Sequence, residues 1–198
     1  MPDSLLLPLI AFTFTMSVTP GPNNVMLTAS GVNFGFRRTV PHMVGISTGV
    51  VIMVLAIGMG LGTVFQTWPQ VHIVMKYLGA AYLLYLAWRI AVAGGPAGAA
   101  AGARPMSLLG AAAFQWVNPK AWMMVVGAVA AFAPAQDYYH HVARIALVMA
   151  VVGLPTIALW AGAGTLLRGL LQNPHAMRSF NIVMALLLVA SLYPALNG

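Results

Sequence analysis

The sequence contains no cysteine and few charged residues of either sign. Only two of its 198 residues are Asp or Glu, nine are Lys or Arg, and charged residues make up 6% of the chain. Soluble domains have about a quarter charged residues, so this composition excludes an ordinary soluble protein. The absence of cysteine excludes disulfide bonds, cysteine-ligated metals and cysteine nucleophiles. Neither paired acids nor an HExxH motif occurs in the apolar segments, and the sequence therefore predicts no hydrolytic enzyme.

Apolar residues dominate the composition instead. Hydrophobic residues make up 61% of the chain, and the mean hydropathy is +0.88. A helix needs about 20 apolar residues to cross the hydrocarbon core of a membrane. Six segments approach or exceed this length and predict an all-α polytopic membrane protein: Leu5–Ala29, Val40–Val64, Val74–Val92, Leu108–Phe132, Val142–Leu167 and Phe180–Leu196.

A stretch of small residues at 94–106 divides the six predicted spans into two groups of three. Its composition is that of a flexible linker. Two related halves with an odd number of spans each must run through the membrane in opposite directions. We therefore predict a single membrane domain over 1–198, in which 1–93 and 107–198 form two inverted three-helix repeats.

Each half has a proline break in its first predicted span. Thr19-Pro-Gly-Pro-Asn23 interrupts the first span, and Asn118-Pro-Lys120 interrupts the fourth. Gly21 permits a backbone angle that a helix does not use. Interrupted helices at corresponding places in two halves indicate the binding site of a transporter. Because proline lacks an amide hydrogen, three carbonyls are expected to leave the helical hydrogen bonds, those of Met16, Val18 and Gln115.

Lys120 is predicted to be the only ionisable side chain deep within a span. A cation at the bilayer centre costs about 2.5–3.5 kcal/mol and is usually functional. Unsatisfied backbone groups cannot face lipid, so the two breaks are expected to face each other across a polar cavity. In the plainer alternatives, the prolines only kink the helices and Lys120 reaches the membrane interface. The predicted binding residues are Pro20, Gly21, Pro22, Asn23, Gln115, Asn118, Pro119 and Lys120.

The predicted cavity has positive charge on one side and neutral acceptors on the other. The amino end of the helix that follows Asn23 and the ammonium of Lys120 suit a carboxylate. The released carbonyls and the amide oxygens suit an ammonium. A neutral, zwitterionic amino acid therefore fits both sides. No acid lies in any predicted span, so the sequence predicts no metal site, and nothing in it indicates a cofactor.

The basic residues predict the orientation of the chain. Only Lys76 and Arg144 lie on one side of the predicted membrane. Six arginines lie on the other side: Arg37, Arg38, Arg89, Arg104, Arg168 and Arg178. The loop-charge rule then predicts that both termini lie outside the cytoplasm. The apolar spans themselves are predicted to contact membrane lipids. The scattered cations form no nucleic-acid surface. Glycine rows such as Gly45 to Gly49 favour close helix packing, within one chain or in a homodimer.

The paired motifs resemble those of a known family. Thr19-Pro-Gly-Pro-Asn23 followed by Gly35-Phe-Arg-Arg38, together with Asn118-Pro-Lys-Ala121, are similar to motifs of the lysine-exporter and homoserine/threonine-exporter family of bacterial membrane proteins. The resemblance covers the whole chain in length, span count and linker position. It implies a six-helix secondary transporter of the cytoplasmic membrane. Such proteins export amino acids or close derivatives and are driven by the proton motive force, as antiporters.

One departure from the family pattern concerns proton coupling. Many members have an aspartate where this chain has Asn23, so a carboxylate proton carrier is absent there. Lys120 is the alternative carrier, because burial disfavours a charged amine. A passive channel, an intramembrane enzyme and a non-transporting assembly subunit are the alternatives to active transport.

Overall fold

The computed structural model describes residues 3–61, 69–93 and 104–193, and all regular structure within these ranges is helical. A π-helical segment, Ile57–Leu61, continues the third helix. The predicted all-α class is therefore confirmed for the described residues. The helices are α1 (Asp3–Val18), α2 (Pro22–Phe34), α3 (Phe36–Ala56), α4 (Pro69–Ala91), α5 (Leu108–Gln115), α6 (Pro119–Phe132), α7 (Tyr138–Leu170) and α8 (Pro174–Ala190).

Three helices of the described chain are long and apolar enough to cross a membrane: Phe36–Leu61, Ile73–Ala91 and Tyr138–Leu170. A fourth crossing results if α1 and α2 form one span, which bends by 57° at the break between them. α6 and α8 are apolar but shorter. Six spans in two inverted repeats thus remain a prediction. Most of the predicted linker, 94–103, lies outside the described residues.

Local sequence places the starts of the short helices. Pro119 and Pro174 occupy the first turn of α6 and α8, where the missing amide hydrogen has no helical partner to lose. The residues before them, Asn118 and Asn173, accept hydrogen bonds from backbone amides two residues further on. Such side-chain caps satisfy amides that the first turn leaves free. The residues around Asn118 and Pro119 therefore determine where α6 starts, and with it the position of the second break.

α7 is the central helix and packs against α1, α2 and α3. It meets α2 backbone to backbone. A Cβ added to Gly31 of α2 would overlap the carbonyl oxygen of Ala161, and one added to Gly164 of α7 would overlap the carbonyl oxygen of Thr28. Small residues allow this approach between helices in lipid. The contact holds α2, and hence the first break, against the middle of the fold.

The predicted close packing of the glycine row in α3 is confirmed at Gly45 and Gly49. A Cβ at Gly49 would lie 2.7 Å from the carbonyl oxygen of Ala112, so α3 approaches α5 closely there. Gly45, one turn earlier, approaches α5 in the same way. Gly162 of α7 makes no such approach, because a Cβ at that position would have no neighbour within 4 Å. Gly162 faces away from the neighbouring helices, whereas Gly164, two residues later, faces α2.

Candidate functional site

The first break separates α1 from α2 and is stabilised by its own side chains. The amide nitrogen of the Asn24 side chain donates hydrogen bonds to the carbonyl oxygens of Ser17 and Thr19, at 2.9 and 2.7 Å. The hydroxyl of Thr19 donates to the carbonyl oxygen of Met16 at 3.2 Å. The carbonyl of Met16 is therefore satisfied locally instead of being free for a ligand. Asn24 is buried and is a site residue that the sequence analysis did not identify.

Gly21 lies within the break. The close approach of the Lys120 side chain, rather than the backbone conformation, favours a glycine at this position. Its φ of −174° and ψ of 176° are non-helical, as predicted, but describe an extended conformation that any residue adopts. A Cβ at Gly21 would lie 2.7 Å from Cδ and 3.2 Å from Nζ of Lys120. The lysine side chain crosses directly over the glycine, so a side chain at this position would require Lys120 to move.

The second break, between α5 and α6, corrects a prediction about Gln115. Its carbonyl oxygen was expected to be released by Pro119. Instead, it accepts a hydrogen bond from the backbone amide of Asn118 at 3.2 Å. The end of α5 tightens into bonds between residues three apart, and this turn satisfies carbonyls that an ordinary α-helical end leaves free.

The two breaks meet through a pair of side-chain amides. Asn23 Nδ2 donates to Gln115 Oε1 at 2.8 Å, and Gln115 Nε2 donates back to Asn23 Oδ1 at 3.2 Å. Gln115 is fully buried and donates a further hydrogen bond to the carbonyl oxygen of Ala111 at 2.8 Å. The expectation that the two breaks face each other is confirmed.

Lys120 reaches from the second break to the first. Its Nζ donates to the carbonyl and hydroxyl oxygens of Thr19, at 2.5 and 2.8 Å, and to the carbonyl oxygen of Pro20 at 3.2 Å. These carbonyls follow the carboxyl end of α1, where the helix dipole favours a cation. Lys120 is half-buried, and Thr19 and Pro20 are exposed. Thr19 is a second site residue that the sequence analysis did not identify, although it adjoins the proline pair.

A cavity with both polar and apolar lining residues lies between the two breaks and extends to α3 and α7. It contains about 540 Å³ of empty space, part of it open to solvent. Apolar residues form much of its wall, among them Met149 and Ile157. These two residues lie near the middle of α7. The polar or charged lining residues are Ser17, Asn23, Asn24, Ser47, Gln115, Asn118 and Lys120.

The structure brings the predicted binding residues together in two different roles. The three prolines, Pro20, Pro22 and Pro119, do not line the cavity and instead shape the breaks. The other five line it: Gly21, Asn23, Gln115, Asn118 and Lys120.

Two sequence features become interpretable only in the fold. Gly45-Ile-Ser-Thr-Gly49 matches the GxSxG pattern of hydrolase nucleophiles, which requires a strand-to-helix turn. Here it lies inside the continuous helix α3, so Ser47 is a wall residue of the cavity. His42, also in α3, is 2% exposed. Lys120 is therefore not the only ionisable group buried within a predicted span.

Broken helices around a cavity that a lysine lines are features of membrane transport proteins. Comparison with known proteins leads to the same class. Residues 14–191 match the family described as LysE type translocator. The chain belongs to this family, and the predicted family is confirmed.

Several similar proteins share one name. The "Cysteine/O-acetylserine efflux protein" of Escherichia coli (strain K12) is 32% identical over 191 residues, which cover 96% of each chain. The protein of that name from Shigella sonnei (strain Ss046) shows the same identity and coverage. The one from Shigella flexneri is 32% identical over 180 residues, or 90% of each chain. No solved structure matches this chain.

Proposed function

We propose that this protein is a secondary active transporter that exports a small neutral amino acid, or a close derivative, across the bacterial cytoplasmic membrane. The contact of Lys120 with Thr19 and Pro20 carries the proposal, because it joins an ammonium that lines the cavity to backbone carbonyls of the first break. The names of the relatives add support, since cysteine and O-acetylserine are both zwitterions with uncharged side chains.

In the proposed binding step, a zwitterion exchanges partners with Lys120. The substrate carboxylate takes the ammonium of Lys120 from the carbonyls of Thr19 and Pro20, because a bond between two charged groups is stronger than one to a neutral carbonyl. The substrate ammonium then takes those carbonyls, at the carboxyl end of α1. Every charge has a partner after the exchange, although no acidic side chain lines the described cavity.

The amide pair of Asn23 and Gln115 is proposed as the latch between the two breaks. Each hydrogen bond between neutral groups contributes about 1 kcal/mol net, so opening both costs little compared with the binding of a charged substrate. An opened pair offers two further donors and two acceptors to the substrate. Rocking of the two halves about this point would expose the cavity to each side of the membrane in turn.

Proton coupling is proposed to depend on Lys120. A substrate carboxylate favours the charged amine, whereas an empty and partly desolvated cavity disfavours it. Binding of substrate and binding of a proton are then linked at one nitrogen atom. The amide of Asn23, which occupies the place of a family aspartate, does not titrate and leaves this role to another group.

The proposed architecture has six spans in two inverted repeats, with the arginine-rich side in the cytoplasm. α1 with α2 would form the first span, and α5 with α6 would form the fourth. A single cysteine replacing Arg104 is expected to react with an impermeant maleimide from the cytoplasmic side only, and Ser4→Cys from the outside only. The native chain has no cysteine, so the label reports one position. The opposite labelling pattern would reverse the orientation.

Counterflow in proteoliposomes tests active exchange against a passive channel. Vesicles loaded with unlabelled O-acetylserine are expected to accumulate external labelled O-acetylserine transiently above the equilibrium level, and cysteine is expected to compete. Lysine is expected to compete poorly, because no carboxylate lines the described cavity to balance a second positive charge. Uptake that rises to equilibrium without an overshoot would indicate a channel and contradict the proposal.

A further inference from the structure

A second and larger cavity lies between α2 and α4 and reaches the segment before α5. It contains about 1950 Å³ of empty space, part of it open to solvent. Two arginines, Arg89 of α4 and Arg104, line it. No acidic side chain is among its lining residues in the described chain, so the protein itself supplies no carboxylate to these cations. An anion that enters the cavity would meet uncompensated positive charge.

Two buried polar side chains that line this cavity have nitrogen or oxygen atoms without hydrogen-bond partners. His42 is 2% exposed, and neither of its ring nitrogens has a hydrogen-bond partner. Asn33 is 8% exposed, and its Oδ1 also lacks a partner, although its Nδ2 donates to Asn181 Oδ1 at 3.0 Å. A buried polar atom without a partner is costly and unusual. His42 and Asn33 line the same cavity as Arg89 and Arg104.

The second cavity lies along the same helix as the central one. Asn23 and Asn24, at the start of α2, line the central cavity, whereas Met26 and Phe34 line the second. Asn23 and Met26 are three residues apart, about 4.5 Å along a helix axis. The second cavity thus extends along α2 from Phe34 to within about one turn of the first break.

We propose that this second cavity is an access vestibule with its own binding site for the carboxylate of an amino-acid substrate. Arg89 and Arg104 hold the carboxylate, and Asn33 Oδ1 accepts a hydrogen bond from the substrate ammonium. His42 supplies one further donor or acceptor. The vestibule concentrates substrate at the arginine-bearing side before it passes to Lys120. This inference rests on the proposed function, but its binding site is measurable without transport.

Protection of a single introduced thiol tests the vestibule directly. Met106 lines the second cavity, and Met106→Cys puts the chain's only thiol there. O-acetyl-L-serine at about four times its dissociation constant is expected to slow alkylation of this thiol about fivefold. Adding Arg89→Gln or Arg104→Gln is expected to weaken binding about tenfold, because each removes a charged hydrogen-bond donor. Protection at the same concentration then falls to about 1.4-fold.

Two control variants separate this site from general effects of charge and from the central site. Arg37 lies in the same arginine-rich group, is exposed and lines neither cavity, so Arg37→Gln is expected to keep the fivefold protection. Lys120→Ala is expected to keep it as well. Protection that disappears with Lys120→Ala but survives both vestibule variants would place the ligand at the centre only and overturn the inference. Absence of protection in Met106→Cys alone would also overturn it.

Anionic lipid is the other source of an oxyanion for these arginines. The assay is therefore run in vesicles of phosphatidylcholine alone and with phosphatidylglycerol. Equal protection by O-acetylserine in both vesicles supports the vestibule. Alkylation that is slow only with phosphatidylglycerol, and does not change when O-acetylserine is added, would indicate bound lipid in the cavity and overturn the inference. Where a glutamine variant fails to elute as a single species, Arg104→Lys replaces it and is expected to retain at least half of the protection.

The transport proposal and the vestibule fail in different ways. Thiol protection without any wild-type counterflow would contradict active transport and leave the arginine site intact. Normal counterflow without thiol protection would contradict the arginine site and leave active transport intact.

Discussion

Lys120→Ala is expected to reduce counterflow of O-acetylserine about 100-fold. Hydrogen bonds to charged groups contribute about 1.5–3 kcal/mol, and the variant removes the cation that receives the substrate carboxylate. It also removes the three contacts with Thr19 and Pro20 that join the two breaks. Initial rates of labelled uptake into preloaded proteoliposomes measure the effect.

The sequence provides a matched control for this variant. Lys76, in α4, is the only other lysine and lines neither cavity. Lys76→Ala is therefore expected to exchange substrate within about twofold of the wild type, the range of ordinary surface substitutions. Exchange by Lys120→Ala at more than half the wild-type rate would contradict a binding role for Lys120.

Lys120→Arg separates the charge of this residue from its ability to release a proton. Arginine keeps the positive charge but resists deprotonation. We expect this variant to retain part of the counterflow activity, reduced because the larger head group must cross over Gly21. We expect it to lose substrate accumulation driven by a pH gradient. Accumulation equal to that of the wild type would move proton coupling to another group and leave the binding role of Lys120 unchanged.

Gly164→Leu is expected to destabilise the folded protein by about 3 kcal/mol and to lower its Tm in detergent by about 6–12 °C. The first added carbon would overlap the backbone carbonyl of Thr28, which cannot rotate away as a side chain does. α2 must therefore separate from α7, and the first break moves with it. Thermal unfolding followed by circular dichroism measures the shift.

Gly162→Leu is the matched control on the same helix. A Cβ at Gly162 meets nothing within 4 Å, so the larger side chain is expected to lie on the outside of α7 and change the Tm by less than about 2 °C. Equal shifts for the two variants would mean that loss of glycine, rather than the contact of α7 with α2, determines stability. Gly164→Ala is expected to fall between the two leucine variants.

The membrane class and the positions of both breaks follow from local chemistry. Apolar runs with few charges predict helices in lipid. Proline lacks an amide hydrogen and favours a break, which the chain shows at Pro20, Pro22 and Pro119, whereas Pro8, Pro41 and Pro155 lie inside continuous helices. For this reason, the helix ends around Pro22 and Pro119 follow correctly from the sequence. The family resemblance depended on the same short motifs and was confirmed by the family match.

Hydrogen-bond partners followed from the sequence much less reliably. The carbonyl of Gln115 was expected to be free, but a tight turn satisfies it. Asn24 and Thr19 were not identified as site residues, although both form hydrogen bonds at the first break. A sequence does not show which of its polar side chains come into contact. His42 was not identified as a cavity residue because its cavity is formed by helices distant in sequence.

The sequence alone determined that this chain lies in a membrane, that two of its predicted spans break at proline, and that a lysine follows the second break. Only the tertiary structure decided which groups meet. It joins Asn23 to Gln115 across 92 positions, leads Lys120 over Gly21 to Thr19, and gathers two arginines around a second cavity. Helix breaks arise from bonds within a few residues, whereas a binding cavity requires backbones from distant segments to approach, as the glycines of α2 and α7 allow.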